Sequence, residues 1–319
     1  MAATLRPAEA VRVYSASHSS CNLRDNHFVT RTRPHGGSLA ISTPRGQLQL
    51  DPLRDAGIVA ALVFAAGVAV GLVPPGTDDE VYWLSGHVHP LYQLAYVWPG
   101  FFYSPAFAQV LAPLTVLPLS IFAALWKLLL AAAVFYLVRR WAALAFLIPF
   151  VTAEMMAGNV NLLIGAAIVL GFEYPGAWAF VLLTKVSPGV GLIWFAARRE
   201  WRQLAVALAT TGAAAAISLL LAPDLWRAWV SVLVSNAQTA SSPDAVNVGP
   251  IALRAVVAAA VAFWGARTDR RWAIPVAATI ALPVIYIGGL SVLLASVPLY
   301  LRDRHRRVSA QESPAALSI

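Results

Sequence analysis

Residues 120–138 read SIFAALWKLLLAAAVFYLV, carrying a single charge at Lys127, and are followed at once by Arg139 and Arg140. At 1.5 Å per residue a helix over this run is about 28 Å long, close to the roughly 30 Å thickness of a bilayer's hydrocarbon core. A helix apolar on every face belongs in a membrane or deep inside a large protein. The arginine pair at its end has the form of a basic anchor at a membrane surface.

Working outward, the same pattern recurs. Apolar runs cover about 56–73, 105–118, 141–157, 159–173, 176–197, 203–221, 250–266 and 272–301. Basic groups stand beside them: Arg198, Arg199 and Arg202; Arg267, Arg270 and Arg271; Arg302, Arg304, Arg306 and Arg307. Of the 319 residues 59% are hydrophobic and 12% charged, against about 25% charged in soluble domains. The expected fold is all-α: a polytopic transmembrane helix bundle of about eight to ten spans, counting short or re-entrant helices. The net charge of +8 sits in these anchor groups rather than in one patch, which argues for membrane lipid as a partner and against nucleic acid.

Three regions follow. Residues 1–53 are polar, lack helical periodicity and hold no apolar signal-peptide core, so a disordered cytoplasmic segment is expected. Residues 54–301 form the membrane domain, with outer loops at about 74–104 and 222–248, and 302–319 form a basic cytoplasmic tail. Basic residues before the first span and acids after it place the N-terminus inside. Two points stay open. If both 105–118 and 120–138 cross, Arg139 and Arg140 fall outside; if 105–118 is re-entrant, they fall inside. The stretch 272–301, with Pro283, Gly288 and Gly289 in it, reads as one tilted helix or as a hairpin, and the flanking basic groups favour the hairpin.

The chemistry-bearing residues lie between the runs. Asp78, Asp79 and Glu80 follow the first span and precede Tyr82. A carboxylate there accepts a proton from a substrate hydroxyl or holds a divalent cation; an ordinary acidic loop is the bland reading. Tyr103, Ser104 and Pro105 lie in a proline-broken aromatic stretch that runs from Trp98 to Pro118. Glu154 must face protein or a cavity, since a carboxylate in so apolar a run costs about 2.5–3.5 kcal/mol. Asn159 suits a helix cap and Asn161 a first turn. Lys185 stands in mid-run with Ser187-Pro188 behind it, where a cation and freed backbone N–H groups suit a phosphate; snorkelling is the alternative. Lys127 reads as a snorkelling residue. The loop after Leu221 holds Trp226, Trp229, Asn247 and then Arg254. The one cysteine, Cys21, makes no disulfide within the chain. No metal spacing is evident, His87 and His89 included.

Taken in order, these elements resemble glycosyltransferase family 87, the DUF2029 group of the GT-C superfamily. The resemblance rests on Asp78-Asp79-Glu80-Val81-Tyr82; Tyr103-Ser104-Pro105-Ala106-Phe107 with Ala112-Pro113-Leu114 and Leu117-Pro118; Gly158-Asn159-Val160-Asn161; Lys185-Val186-Ser187-Pro188 with Arg198-Arg199-Glu200-Trp201; and Asn247 leading to Arg254. It departs where Ser104 replaces a proline and Asn159 a glutamine. The resemblance implies a GT-C-like bundle in the cytoplasmic (inner) membrane with its active-site loop outside. It implies inverting transfer of a sugar, typically mannose, from a polyprenyl-phosphate donor to a glycan or lipid acceptor. Asp78 or Asp79 would be the base, and Lys185 and Arg254 would meet the leaving phosphate. Tyr82, Tyr103, Asn159, Asn161 and Asn247 would line the substrate site. No metal ligand is assigned; a divalent cation at Asp78, Asp79 and Glu80 stays open. Two other readings remain: a lipid or solute transporter or flippase, and a short, non-catalytic relative acting as a membrane scaffold.

Overall fold

A computed structural model describes residues 39–43, 46–96, 100–237 and 250–312. The chain divides into two units, Met1–Leu50 and Asp51–Ile319. In the first, within the segment expected to be disordered, β1 (Leu39–Thr43) and β2 (Gly46–Leu50) pair antiparallel, with Leu39 opposite Leu50 and Thr43 opposite Gly46.

The second unit is helical, as expected. Asp51 caps α1 (Pro52–Ala69) by accepting the Arg54 N–H at 3.3 Å, and Pro52 takes the first helical position, where its missing N–H costs nothing. α2 (Thr77–Leu84) and α3 (Pro105–Leu111) are short. α4 (Leu119–Val138) is the opening run. α5 (Ala142–Ala145) and α6 (Pro149–Ala157) lead to a break of 108° before α7 (Asn161–Gly171). α8 (Trp178–Thr184), a 3-10 helix over Ser187–Leu192 and α9 (Ile193–Ala197) make another broken pair of strokes. α10 (Trp201–Leu221) is long, apolar and mostly exposed, the condition of a lipid-facing helix.

Beyond it, α11 (Pro223–Ala237) occupies most of the stretch expected to be an outer loop. α12 (Ile251–Arg267) and α13 (Ala273–Ala281) follow. A 3-10 helix, Ile287–Ala295, then runs into α14 (Ser296–Glu312), which carries the expected tail onward as helix.

Among the described residues three helices (α1, α10 and the α4–α5 stretch) are long and apolar enough to cross a membrane, or four if the bent α6–α7 pair is one span. The eight to ten expected spans are thus realised as a few whole helices and several broken ones. Proline and glycine at the breaks account for the difference, since neither sustains a helix interior. The stretch 272–301 is a hairpin: Ser296 Oγ donates to the Trp272 carbonyl at 2.9 Å, bringing its two ends together.

The basic groups share one end of the bundle. Tyr136, just before Arg139, faces Arg302. Arg302 pairs with Glu173. Arg198 pairs with Asp269 at 3.0 Å, and the Arg271 N–H donates to Asp303 at 2.8 Å. The start of α1 joins them, because Gly57 packs against Phe135 and Ala143. The chain therefore leaves this end in α1 and returns to it in α4. α3 is too short to cross in between, and Arg139 lies with Arg302 beside Tyr136.

Candidate functional site

The opposite end gathers the broken helices. The α6–α7 break is made by Gly158, whose φ of +80° lies in the left-handed region that glycine adopts without steric cost. Space imposes the same choice: a Cβ at Gly158 would stand 1.8 Å from Asp79 Oδ1. The Gly158 carbonyl accepts the Trp126 indole N–H at 2.6 Å, which fixes the break to α4.

The turn 158–160 presents Asn159. Its side-chain oxygen accepts the Val160 N–H at 2.8 Å, holding the amide in place. Asn161 is the first residue of α7, as its spacing suggested, whereas the cap position falls to Val160 rather than Asn159. Val160 has no side chain to cap with, and Glu154 supplies the acceptor. Glu154 Oε1 takes the Asn161 N–H at 2.6 Å and Oε2 takes the Asn161 amide at 3.0 Å. The buried Glu154 carboxylate thus faces protein, satisfied by a helix N-terminus where negative charge is favoured.

Lys185 ends α8. Its extended backbone, φ −136° and ψ 111°, leaves the helix, and helical structure resumes at Ser187 with Pro188 in the first turn, where its missing N–H costs nothing. Its Nζ donates to Asn159 Oδ1 at 2.9 Å and to Asn161 Oδ1 at 2.8 Å. Asn159 in turn donates its amide N–H to Asp78 Oδ1 at 2.7 Å. Five residues from four helices and one turn are thereby linked in the order Asp78, Asn159, Lys185, Asn161, Glu154. Asp78, Asn159 and Lys185 are half-buried; Asn161 and Glu154 are closed off.

The three consecutive acids occupy different surroundings, because successive helical residues point about 100° apart. Asp78 joins the cluster. Burial pushes its carboxyl up from 3.8 to about 6, against the opposing pull of Lys185 and of the Asn159 hydrogen bond. Asp79 is fully enclosed: its Oδ2 lies 2.7 Å from Lys127 Nζ and accepts the Gly76 N–H at 2.8 Å. Glu80 is exposed. Among the described residues no three His, Cys, Asp or Glu side chains converge in a way that would hold a metal ion.

Tyr82 and Tyr103 are both buried and joined, the Tyr82 hydroxyl donating to the Tyr103 hydroxyl at 2.7 Å with the rings edge-on at 5.2 Å. The pair lies against Asp78 and Asn159. Ser104 has a local task. It is the cap of α3 ahead of Pro105, and its Oγ donates to the Leu183 carbonyl at 2.5 Å, tying α3 to α8 just before Lys185.

One expected member is not brought into this cluster. The Arg254 guanidinium donates to the Leu282 and Pro283 carbonyls, each at 2.8 Å, and so holds the 282–286 turn. Asn247 lies outside the described residues. One member was missed. Lys127 does not snorkel: it is 1% exposed, bonded to Asp79 and, at 2.9 Å, to the Met156 carbonyl. The signal was present, since an ionisable residue in mid-span is expected to pair with another.

In comparison with known proteins, the model of glycosyltransferase family 87 matches residues 101–317. The match starts after Asp78–Tyr82, so those residues are placed by geometry alone. No curated protein and no solved structure matches the chain.

Proposed function

The chain belongs to glycosyltransferase family 87, and from that premise we propose that it moves a sugar, mannose in the first instance, from a polyprenyl-phosphate donor to a glycan or lipid acceptor on the outer face of the cytoplasmic membrane. The observation that carries the reading is the link from Asp78 through Asn159 to Lys185: a base and a cation, half-buried, held apart by one amide.

In this reaction the acceptor hydroxyl attacks the anomeric carbon and gives its proton to the Asp78 carboxylate. The bond from that carbon to the phosphate oxygen breaks as the new glycosidic bond forms, which inverts the configuration. The electron pair leaves with the polyprenyl phosphate, whose charge grows from one to two. Lys185 meets this developing charge. Two of its three N–H bonds are spent on Asn159 and Asn161, and the third is the one a phosphate oxygen would take.

Charge supports the donor class. A single ammonium suits the single negative charge of a phosphodiester. A nucleotide-diphosphate sugar brings more charge, and Arg254, the next candidate cation, is engaged with carbonyls.

The position of the arginines supports the orientation. Basic turns mark the cytoplasmic side, and α1 begins among them, so the N-terminus is inside and Asp78 faces the other way.

The test is direct. Purified protein in proteoliposomes is given polyprenyl-phosphate mannose or a nucleotide-diphosphate mannose, each radiolabelled, with a membrane glycolipid extract as acceptor. Label transferred from the lipid donor alone supports the reading. Transfer from the nucleotide sugar alone, or donor movement across a bilayer with no transfer, contradicts it; the second outcome would favour a flippase.

A further inference from the structure

Asp79 and Lys127 form a buried ion pair that the reaction does not use, yet it stands one residue from Asp78. The pair spans two elements. On one side Asp79 accepts the Gly76 N–H, closing the first turn of α2. On the other, Lys127 rises from mid-α4 and donates to the Met156 carbonyl near the end of α6. Gly158 packs directly on the Asp79 carboxylate, with no room for even a methyl group. Both side chains are sealed off, at 1% and 0% exposure.

We infer that Lys127 and Asp79 are a positioning pair: the bridge from Gly76 through Asp79 and Lys127 to Met156 clamps the first turn of α2 against the α6–α7 break and so fixes where Asp78 stands relative to Asn159 and Lys185. The physical case begins with cost. Burying two charges is expensive, and a well-packed apolar pair of similar volume is often as stable or more so. An ion pair here therefore does little for stability that packing would not do. Its geometric effect is different. Tyr82 and Trp83 hold the second half of α2 to its neighbours, through the Tyr103 hydroxyl and the Leu117 carbonyl, whereas Asp79 holds its first turn. Asp78 and Asp79 share its first turn, and whatever anchors one places the other. Besides this bridge and the packing of Gly76 on the Met156 and Ala157 carbonyls, the hydrogen bond from Asn159 to Asp78 links α2 to the break, and it is made between half-buried groups. A carboxylate displaced by about 1 Å loses about a hundredfold in rate.

This inference rests on the proposed role of Asp78, and the test separates the two. Full-length protein in nanodiscs is prepared as wild type, Lys127→Met and the double variant Asp79→Asn/Lys127→Met. The double variant leaves no buried charge unpaired, so it keeps the test open if the single variant does not fold. Two readouts are taken: backbone hydrogen exchange in the peptide covering Gly76–Leu84, and kcat and donor KM for sugar transfer. Expected are exchange faster by about tenfold or more in that peptide, kcat lower by about tenfold or more, and donor KM within about twofold, because Lys185 is untouched. Unchanged exchange in the double variant overturns the clamp, and so does faster exchange with unchanged kcat. If the wild type transfers no sugar, the exchange readout still decides the clamp, and only the role of Asp78 falls.

Discussion

Asn159 donates its amide N–H to Asp78 Oδ1 at 2.7 Å, and so ties the first turn of α2 to the turn between α6 and α7. The same side chain accepts from Lys185 at 2.9 Å. One amide, used at both ends, sets the spacing between an acid and a cation that belong to different helices.

Removing that amide should therefore disturb both partners. Asn159→Ala is expected to lower kcat/KM for sugar transfer by about tenfold to a hundredfold, with normal insertion into membranes. Asn159→Gln keeps both functional groups and should retain activity within about fivefold. Steady-state kinetics on the two variants checks this; equal losses would mean that the amide chemistry is not what matters.

Gly158 is held by two independent demands, a φ of +80° and contact with Asp79. Gly158→Ala should lower stability by about 2–4 kcal/mol, because the carboxylate it meets is pinned by Lys127 and cannot move aside. The check is the unfolding midpoint of purified protein in detergent.

The pH dependence follows from Asp78. Burial raises its carboxyl from 3.8 to about 6. A base acts in its ionised form, so transfer should rise with pH, with a midpoint near 6, and fall about tenfold per unit below it. The kcat/KM profile from pH 4.5 to 8 reads this. A profile flat through that range would remove Asp78 as the base.

Lys185 should act on the leaving group. Lys185→Met is expected to cut kcat by about a hundredfold or more and Lys185→Arg by less, since a guanidinium keeps the charge but not the two-amide fit. A donor with a better leaving group should narrow the gap between wild type and Lys185→Met. A gap independent of leaving group would contradict the assignment.

Much of this was legible in the chain. The helical membrane fold follows from runs such as 120–138, because a helix that cannot face water has few other homes. Lys185 and Glu154 stood out as ionisable residues in apolar runs, and both prove to be bonded. The arginine clusters identified one end of the bundle, although only the contacts among Tyr136, Arg302, Glu173, Arg198 and Asp269 placed Arg139 there. Three features were not legible, for physical reasons. Which of Asp78 and Asp79 is enclosed depends on the rotation of α2, which an eight-residue helix does not encode in its own pattern. The pairing of Lys127 with Asp79 joins residues far apart in sequence, with no local periodicity to betray it. Arg254 had a plausible partner in a phosphate, but the Leu282 and Pro283 carbonyls, left without helical partners by the break, claim it instead. Family 87 membership extends over 101–317 and leaves the acidic turn to be argued from geometry.

The central claim is that Asp78 is the base and Asp79 is not. The measurement is single-turnover sugar transfer from polyprenyl-phosphate mannose by wild type, Asp78→Asn and Asp79→Asn, each shown to insert and to bind donor. The account predicts that Asp78→Asn binds donor but loses the chemical step by about three orders of magnitude or more, while Asp79→Asn is slowed but active. Full transfer by Asp78→Asn would contradict it.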